Sequence, residues 1–195
     1  MLHLKTYLIK EHAAIMKLHD TYDIFDAETG KKVGVAKETI STFATLLRLF
    51  VNKQMIPTTV IVTDSDDEVV FSIHRPFSLF RARVNIMTAD GKHLGYFKSK
   101  ILSIGGGFYV YDHNDRQFAE VKGDWKGWNF KFITSDGAEL GTVSKKWAGF
   151  AKELFTSADN YVIALNDNVE QTEEGNMLLL AAGLAVDIIY KEGKG

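Results

Sequence analysis

Residues 88–98 read TADGKHLGYFK, and 46 residues further along, 134–144 read TSDGAELGTVS. The shared core, Thr-x-Asp-Gly-x-x-Leu-Gly, has the chemistry of a hairpin. Asp-Gly supplies the positive φ of a tight turn, and the second glycine permits a bulge or a close backbone approach. A looser copy, DAETGKKVGVAK, occupies 26–37, and YDHNDRQFAEVK at 111–122 keeps the rhythm without the glycines. Around these turns, aromatic and β-branched residues alternate with polar ones, most clearly at 22–25, 60–62, 69–73, 80–87, 108–111 and 130–133. That period-2 alternation is the signal of strands with one buried face. Regularly spaced hairpins predict a barrel or sandwich, and closure would leave few edges for prolines to guard, in keeping with only 2 prolines in the chain.

Helical periodicity interrupts the strands. In 41–54, Phe43, Leu46, Leu47, Phe50 and Val51 fall on one face of an amphipathic helix, and 147–155 has room for one or two turns with Phe150 and Leu154 on one side. The longest apolar stretch, MLLLAAGLAVDIIY at 177–190, is apolar all round and broken only by Asp187. It falls short of the about 20 residues that span a bilayer, so it reads as a helix buried within protein. A many-stranded barrel has a lumen too wide for its own side chains to fill. The helix, spanning about 176–190, is therefore expected inside it, with Ala181, Ala182, Gly183 and Ala185 letting strands approach. A helix in the lumen leaves no place for an internal ligand.

Composition narrows the function. The 195 residues suit one domain, 1–195, with a globular balance of 46% hydrophobic and 25% charged residues. A formal net charge of -2 argues against a general nucleic-acid binder, so anion binding requires a local patch. The absence of cysteine excludes disulfides, thiolate metal sites, a cysteine nucleophile and S-palmitoylation. The charged N-terminal twenty residues lack a signal peptide's apolar core, which makes a cytoplasmic location the default reading. Histidines are scattered with no metal spacing, and there is no nucleophile elbow, so no enzyme is expected. The glycine run at 105–107 leads into a strand and is a turn. TDSDDE at 63–68 is a solvated acidic turn, and Trp125, Trp128 and Trp147 are packing residues.

The stretch LGTVSKKWAGFAKELFTSADNYVIAL (140–165), followed by LLLAAGLAVDIIYKEGKG (178–195), resembles the C-terminal part of phospholipid scramblases. Gly-x-φ-Ser-Lys-x-Trp-x-Gly is its specific block; HRPF at 74–77 and the Asp-Gly-x-x-Leu-Gly hairpin match the family's middle. The likeness is good over 70–195 and weak before it, as for a bacterial-type or minimal member of the group that includes LURP-one-related proteins. It implies a mainly β, tubby-like closed antiparallel barrel of about twelve strands around a buried hydrophobic C-terminal helix. It also implies lipid chemistry: phosphoinositide binding in tubby domains, calcium-dependent lipid movement in animal scramblases. Ser157 and Asn168 stand where the family's proposed calcium segment has Asp. Only Asp159 and Asp167 remain as carboxylates, a poor set for an ion that takes six to eight oxygens, so no cofactor is expected. No external tail follows the terminal helix beyond KEGKG, and membrane anchoring is not expected.

One constellation remains. If Asp90-Gly91 forms a two-residue turn, Arg83 faces Lys98 and Arg81 faces Lys100, all on the outer face, with Met87 and Leu94 near the tip on that same face. Val84, Ile86 and Phe97 then point inward. Like charges directly opposite each other are destabilising. The equivalent positions of the repeat, Gly127, Asn129, Ser144 and Lys146, show that the hairpin does not require them. Either neighbouring carboxylates neutralise this face or it meets an anionic partner. Arg75, Arg81, Arg83, Lys98 and Lys100 are the candidate contacts to anionic headgroups of a membrane surface, bound peripherally, with no nucleic acid. Lipid translocation and a protein-interaction scaffold are the alternatives.

Overall fold

The protein, in a computed structural model, is described here over residues 1–12, 20–39, 56–77, 83–100, 107–124, 127–145, 160–167 and 172–190. The helices expected at 41–54 and 147–155 lie outside these residues, as do Arg81 and Asp159.

Twelve strands follow one another around a closed antiparallel barrel: β1 (Thr6–Glu11), β2 (Thr21–Asp26), β3 (Lys32–Thr39), β4 (Thr58–Asp64), β5 (Val69–Arg75), β6 (Arg83–Thr88), β7 (His93–Ser99), β8 (Gly107–Asp112), β9 (Gln117–Asp124), β10 (Asn129–Thr134), β11 (Glu139–Ser144) and β12 (Asn160–Leu165). Each strand pairs with its neighbours in sequence, and β12 closes the ring on β1, with Tyr7 opposite Ile163. The last element, α1 (Glu173–Tyr190), runs through the lumen. The alternation of the strands is honoured: Val84, Ile86 and Phe97 face the core.

The hairpins at one end of the barrel share a device that corrects the simple turn reading. Gly91 N–H reaches the Thr88 carbonyl and Thr88 N–H reaches the Lys92 carbonyl, so the loop has three residues, with Gly91 at φ 82°. Between Ile86 and Met87 the register then slips by one, leaving Leu94 unopposed. The slip offsets the extra loop residue, and Arg83 still faces Lys98. Matching slips leave Val33, Val70, Phe118 and Leu140 unopposed in the other hairpins of this end. A bulged residue escapes the strict alternation of the strand. Leu94, expected on the outer face, is consequently buried in the core, and the other four pack against it from the barrel mouth. The glycine after the bulge has its own reason: a Cβ on Gly95 would lie 2.3 Å from the carbonyl oxygen of Tyr111 on β8.

The helix is anchored at both ends. At its start the Thr172 hydroxyl accepts the Gly175 N–H at 3.0 Å, and Glu173 and Glu174 sit in the first turn, where negative charge suits the dipole. Its last turn carries no basic residue of its own. Arg75, at the end of β5, reaches into the lumen and donates to the Ile188 carbonyl at 3.1 Å, to the Thr58 hydroxyl at 3.1 Å and to the Ile56 carbonyl at 3.4 Å. Beside it in the chain, Asp187 is buried and accepts a 2.6 Å hydrogen bond from the Tyr22 hydroxyl. Burial, and secondarily the Asp187 charge, push the Tyr22 and Tyr161 hydroxyls well above the ordinary tyrosine range.

Candidate functional site

Antiparallel register sets outward-facing side chains in rows across the sheet. One row runs Arg83, Lys98, Tyr109, Glu120 over β6 to β9. The next, nearer the hairpin end, includes His74, Asn85, Tyr96 and Tyr111. The two rows interlock. The Arg83 guanidinium lies over the Tyr96 ring at 3.7 Å, and its Nε donates to Asn85 Oδ1 at 2.9 Å. Tyr96 in turn stacks on Tyr111, centroids 4.7 Å apart and planes 6° from parallel. A planar cation laid onto an aromatic face is held in one orientation with little loss of charge. Desolvation, then the Asp115 carboxylate beside it, raises the Tyr96 hydroxyl above its usual range.

Lys100 is placed differently. Its Nζ lies 2.7 Å from Glu120 Oε2 and 4.7 Å from the Tyr109 ring centroid, and Glu120 also pairs with Lys122. Burial alone would raise the Glu120 carboxyl, but the two ammonium groups hold it below its usual range. Lys100 is thus neutralised by the neighbouring strand. Among the described residues neither Arg83 nor Lys98 has a carboxylate partner.

The structure therefore divides the candidates. Arg83 and Lys98 come together on the outer face, and Lys100 joins them but is already committed. Arg75 does not belong with them: it is 2% exposed and turned into the lumen, where a headgroup on the outer surface has no access. The HRPF segment places it on the inward phase of β5, so alternation separates it from His74. Asp167, on the loop after β12, pairs with Lys5 at 2.6 Å, which lowers its carboxyl below the usual range. Among the described residues no group of three or more His, Cys, Asp or Glu is placed to hold a metal. Tyr96, Tyr109, Tyr111 and Glu120 went unassigned on sequence alone. Their signal is the alternation of Tyr109 and Tyr111 in β8, which becomes legible only once the β7–β8 register is known.

The Scramblase family model matches residues 13–193. A phospholipid scramblase family protein of Schizosaccharomyces pombe is 27% identical over 150 residues, covering 67% of this chain and 37% of that protein. The Altered inheritance rate of mitochondria protein 25 of Saccharomyces cerevisiae is 22% identical over 210 residues, covering 87% of this chain and 63% of its own length. The chain thus spans less than two thirds of either relative. No solved structure matches it significantly. With a twelve-stranded barrel, a lumen helix and a family match over nearly its whole length, the chain belongs to the phospholipid scramblase family.

Proposed function

We propose that the outer row centred on Arg83 and Lys98 binds the phosphate of anionic phospholipid headgroups, seating the barrel peripherally on a membrane from the cytoplasmic side. The observation that carries this reading is the cross-strand pairing of two cations with, among the described residues, no carboxylate paired to either, on a hairpin whose repeat copy has Asn129 and Ser144 at the same positions. Directly opposed like charges cost stability, and a bound anion reverses the sign of that cost. The Tyr96–Tyr111 stack holds the guanidinium flat, leaving its outer edge for a phosphate oxygen pair. Among the described residues no helix is long and apolar enough to cross a membrane, in keeping with peripheral attachment. Among the relatives, the fission yeast protein bears the phospholipid scramblase family name.

The test is co-sedimentation with phosphatidylserine-containing vesicles across a salt titration, for wild type and Arg83→Ala/Lys98→Ala. At about 1 kcal/mol for each basic residue near an anionic surface, the double variant binds roughly 30-fold more weakly at low salt. Binding that is unchanged in the double variant refutes the site. A leaflet-exchange assay on the same vesicles addresses lipid translocation: exchange accelerated by the protein favours that reading over a purely binding one.

A further inference from the structure

Among the described residues two large apolar side chains are exposed, Phe77 at 51% and Val69 at 46%. They stand at opposite ends of β5, Val69 as its first residue and Phe77 two residues past its last. Arg75 turns into the lumen, and Pro76 then fixes its own φ and stiffens the exit of the chain. β5 meets β6 at the His74–Asn85 pair. Phe77 is three residues beyond that pair, and Arg83 is two residues from it toward the same end of the barrel. At about 3.3 Å per extended residue, Phe77 stands about 3 Å nearer that end than the Arg83–Lys98 pair.

Charge divides the two ends. The five turns of the hairpin end, 26–31, 64–68, 88–92, 112–116 and 134–138, hold ten carboxylates against three Lys or Arg side chains, a formal charge of -7. The whole chain is -2, so everything outside those turns is +5. Val69 directly follows the acidic run 64–68, whereas Phe77 lies at the end of Arg83, Lys98 and Lys100. An anionic surface repels the first end and attracts the second.

We propose that the barrel meets an anionic bilayer with the end opposite the hairpins foremost, and that Phe77 enters the interface there as its apolar anchor, an inference that rests on the headgroup reading of Arg83 and Lys98. Phosphates held at the level of those two cations leave the acyl boundary a few ångströms further on, the level that residue 77 reaches. Moving its exposed surface out of water is favourable, and the phenyl ring carries no group that needs a hydrogen-bond partner in return. Charge attraction alone leaves the tilt of the barrel loosely set. An apolar point beside the cation pair fixes it.

The chain has no cysteine, so Phe77→Cys and Val69→Cys each give a single attachment point for an environment-sensitive nitrobenzoxadiazole dye. On vesicles of phosphatidylserine and phosphatidylcholine, the dye at 77 should shift to the blue and be quenched by lipids carrying a nitroxide high on the acyl chain. The dye at 69 should do neither. Co-sedimentation separates this inference from the reading beneath it. Phe77→Ser should weaken binding about tenfold, by the same factor at low and high salt. The factor for Arg83→Ala/Lys98→Ala should shrink as salt screens the charges. Binding that depends on Arg83 and Lys98 while the dye at 77 stays in water overturns the anchor and leaves the headgroup site standing. A quenched dye at 69, unchanged binding by Phe77→Ser, or a blue shift at 77 that follows protein concentration without vesicles also overturns it. No vesicle binding by the wild-type chain overturns both.

Discussion

The Arg75 guanidinium, on the last residue of β5, donates a 3.1 Å hydrogen bond to the Ile188 carbonyl of the lumen helix. A strand residue thereby supplies the positive charge that the helix lacks in its own last turn. The barrel and its contents are locked together by a contact 113 residues apart in sequence.

Removing that contact leaves the Ile188 and Ile56 carbonyls and the Thr58 hydroxyl without this donor in a buried site. Arg75→Met keeps the length of the side chain and deletes the charge. Urea unfolding should show a loss of about 1.5–3 kcal/mol, the range for hydrogen bonds to a charged group. A change below about 0.5 kcal/mol, the level of ordinary surface substitutions, would show the contact to be incidental.

Burial raises the hydroxyls of Tyr7, Tyr22 and Tyr161 above the ordinary value. Folding favours the protonated form of each, so their contribution is complete below the unfolded value of about 10 and is lost as pH rises toward the folded values. Stability should fall above pH ~10 with a slope approaching 4 kcal/mol per pH unit for three groups. Absorbance titration of the 7 tyrosines checks this: the buried three should ionise only with unfolding, and a smooth seven-tyrosine titration in the folded state would contradict it.

The two glycines of the 88–98 hairpin serve different purposes. Gly91 has φ 82°, and a methyl placed on its Cα would have nothing within 4 Å, so Gly91→Ala costs only the left-handed strain, about 1–2 kcal/mol. Gly95→Ala would drive its methyl into the Tyr111 carbonyl and force β7 from β8. Its cost should be larger, about 3 kcal/mol or more, at the upper end of overpacking penalties. Thermal unfolding of the two variants side by side tests the ranking, and equal losses would remove the close-approach explanation.

Glu120 draws charge away from the proposed headgroup row by pairing with Lys100 and Lys122. Glu120→Gln should therefore tighten vesicle binding about fivefold at low salt, one added charge being worth about 1 kcal/mol near an anionic surface. The gain should shrink as salt is raised. Weaker binding in this variant would mean that Glu120 organises the face rather than opposing it.

Local chemistry carried much of the fold. Thr-x-Asp-Gly-x-x-Leu-Gly contains its own turn and bulge, and period-2 alternation marks which residues face inward, because both depend on neighbours a few positions apart. The all-apolar run around Asp187 was legible as a buried helix for the same reason, being too hydrophobic for any surface and too short for a bilayer. The cross-strand meeting of Arg83 with Lys98 also followed from a single hairpin, although a three-residue loop and a bulge, rather than a two-residue turn, produce it. What tertiary structure alone decided is everything that depends on register between hairpins and on the fit of helix to wall. The Tyr96–Tyr111 stack, the neutralisation of Lys100 by Glu120 and the inward turn of Arg75 to the helix end join residues whose separation in sequence carries no signal. Their positions are set by closure of the ring and by packing one helix in its lumen.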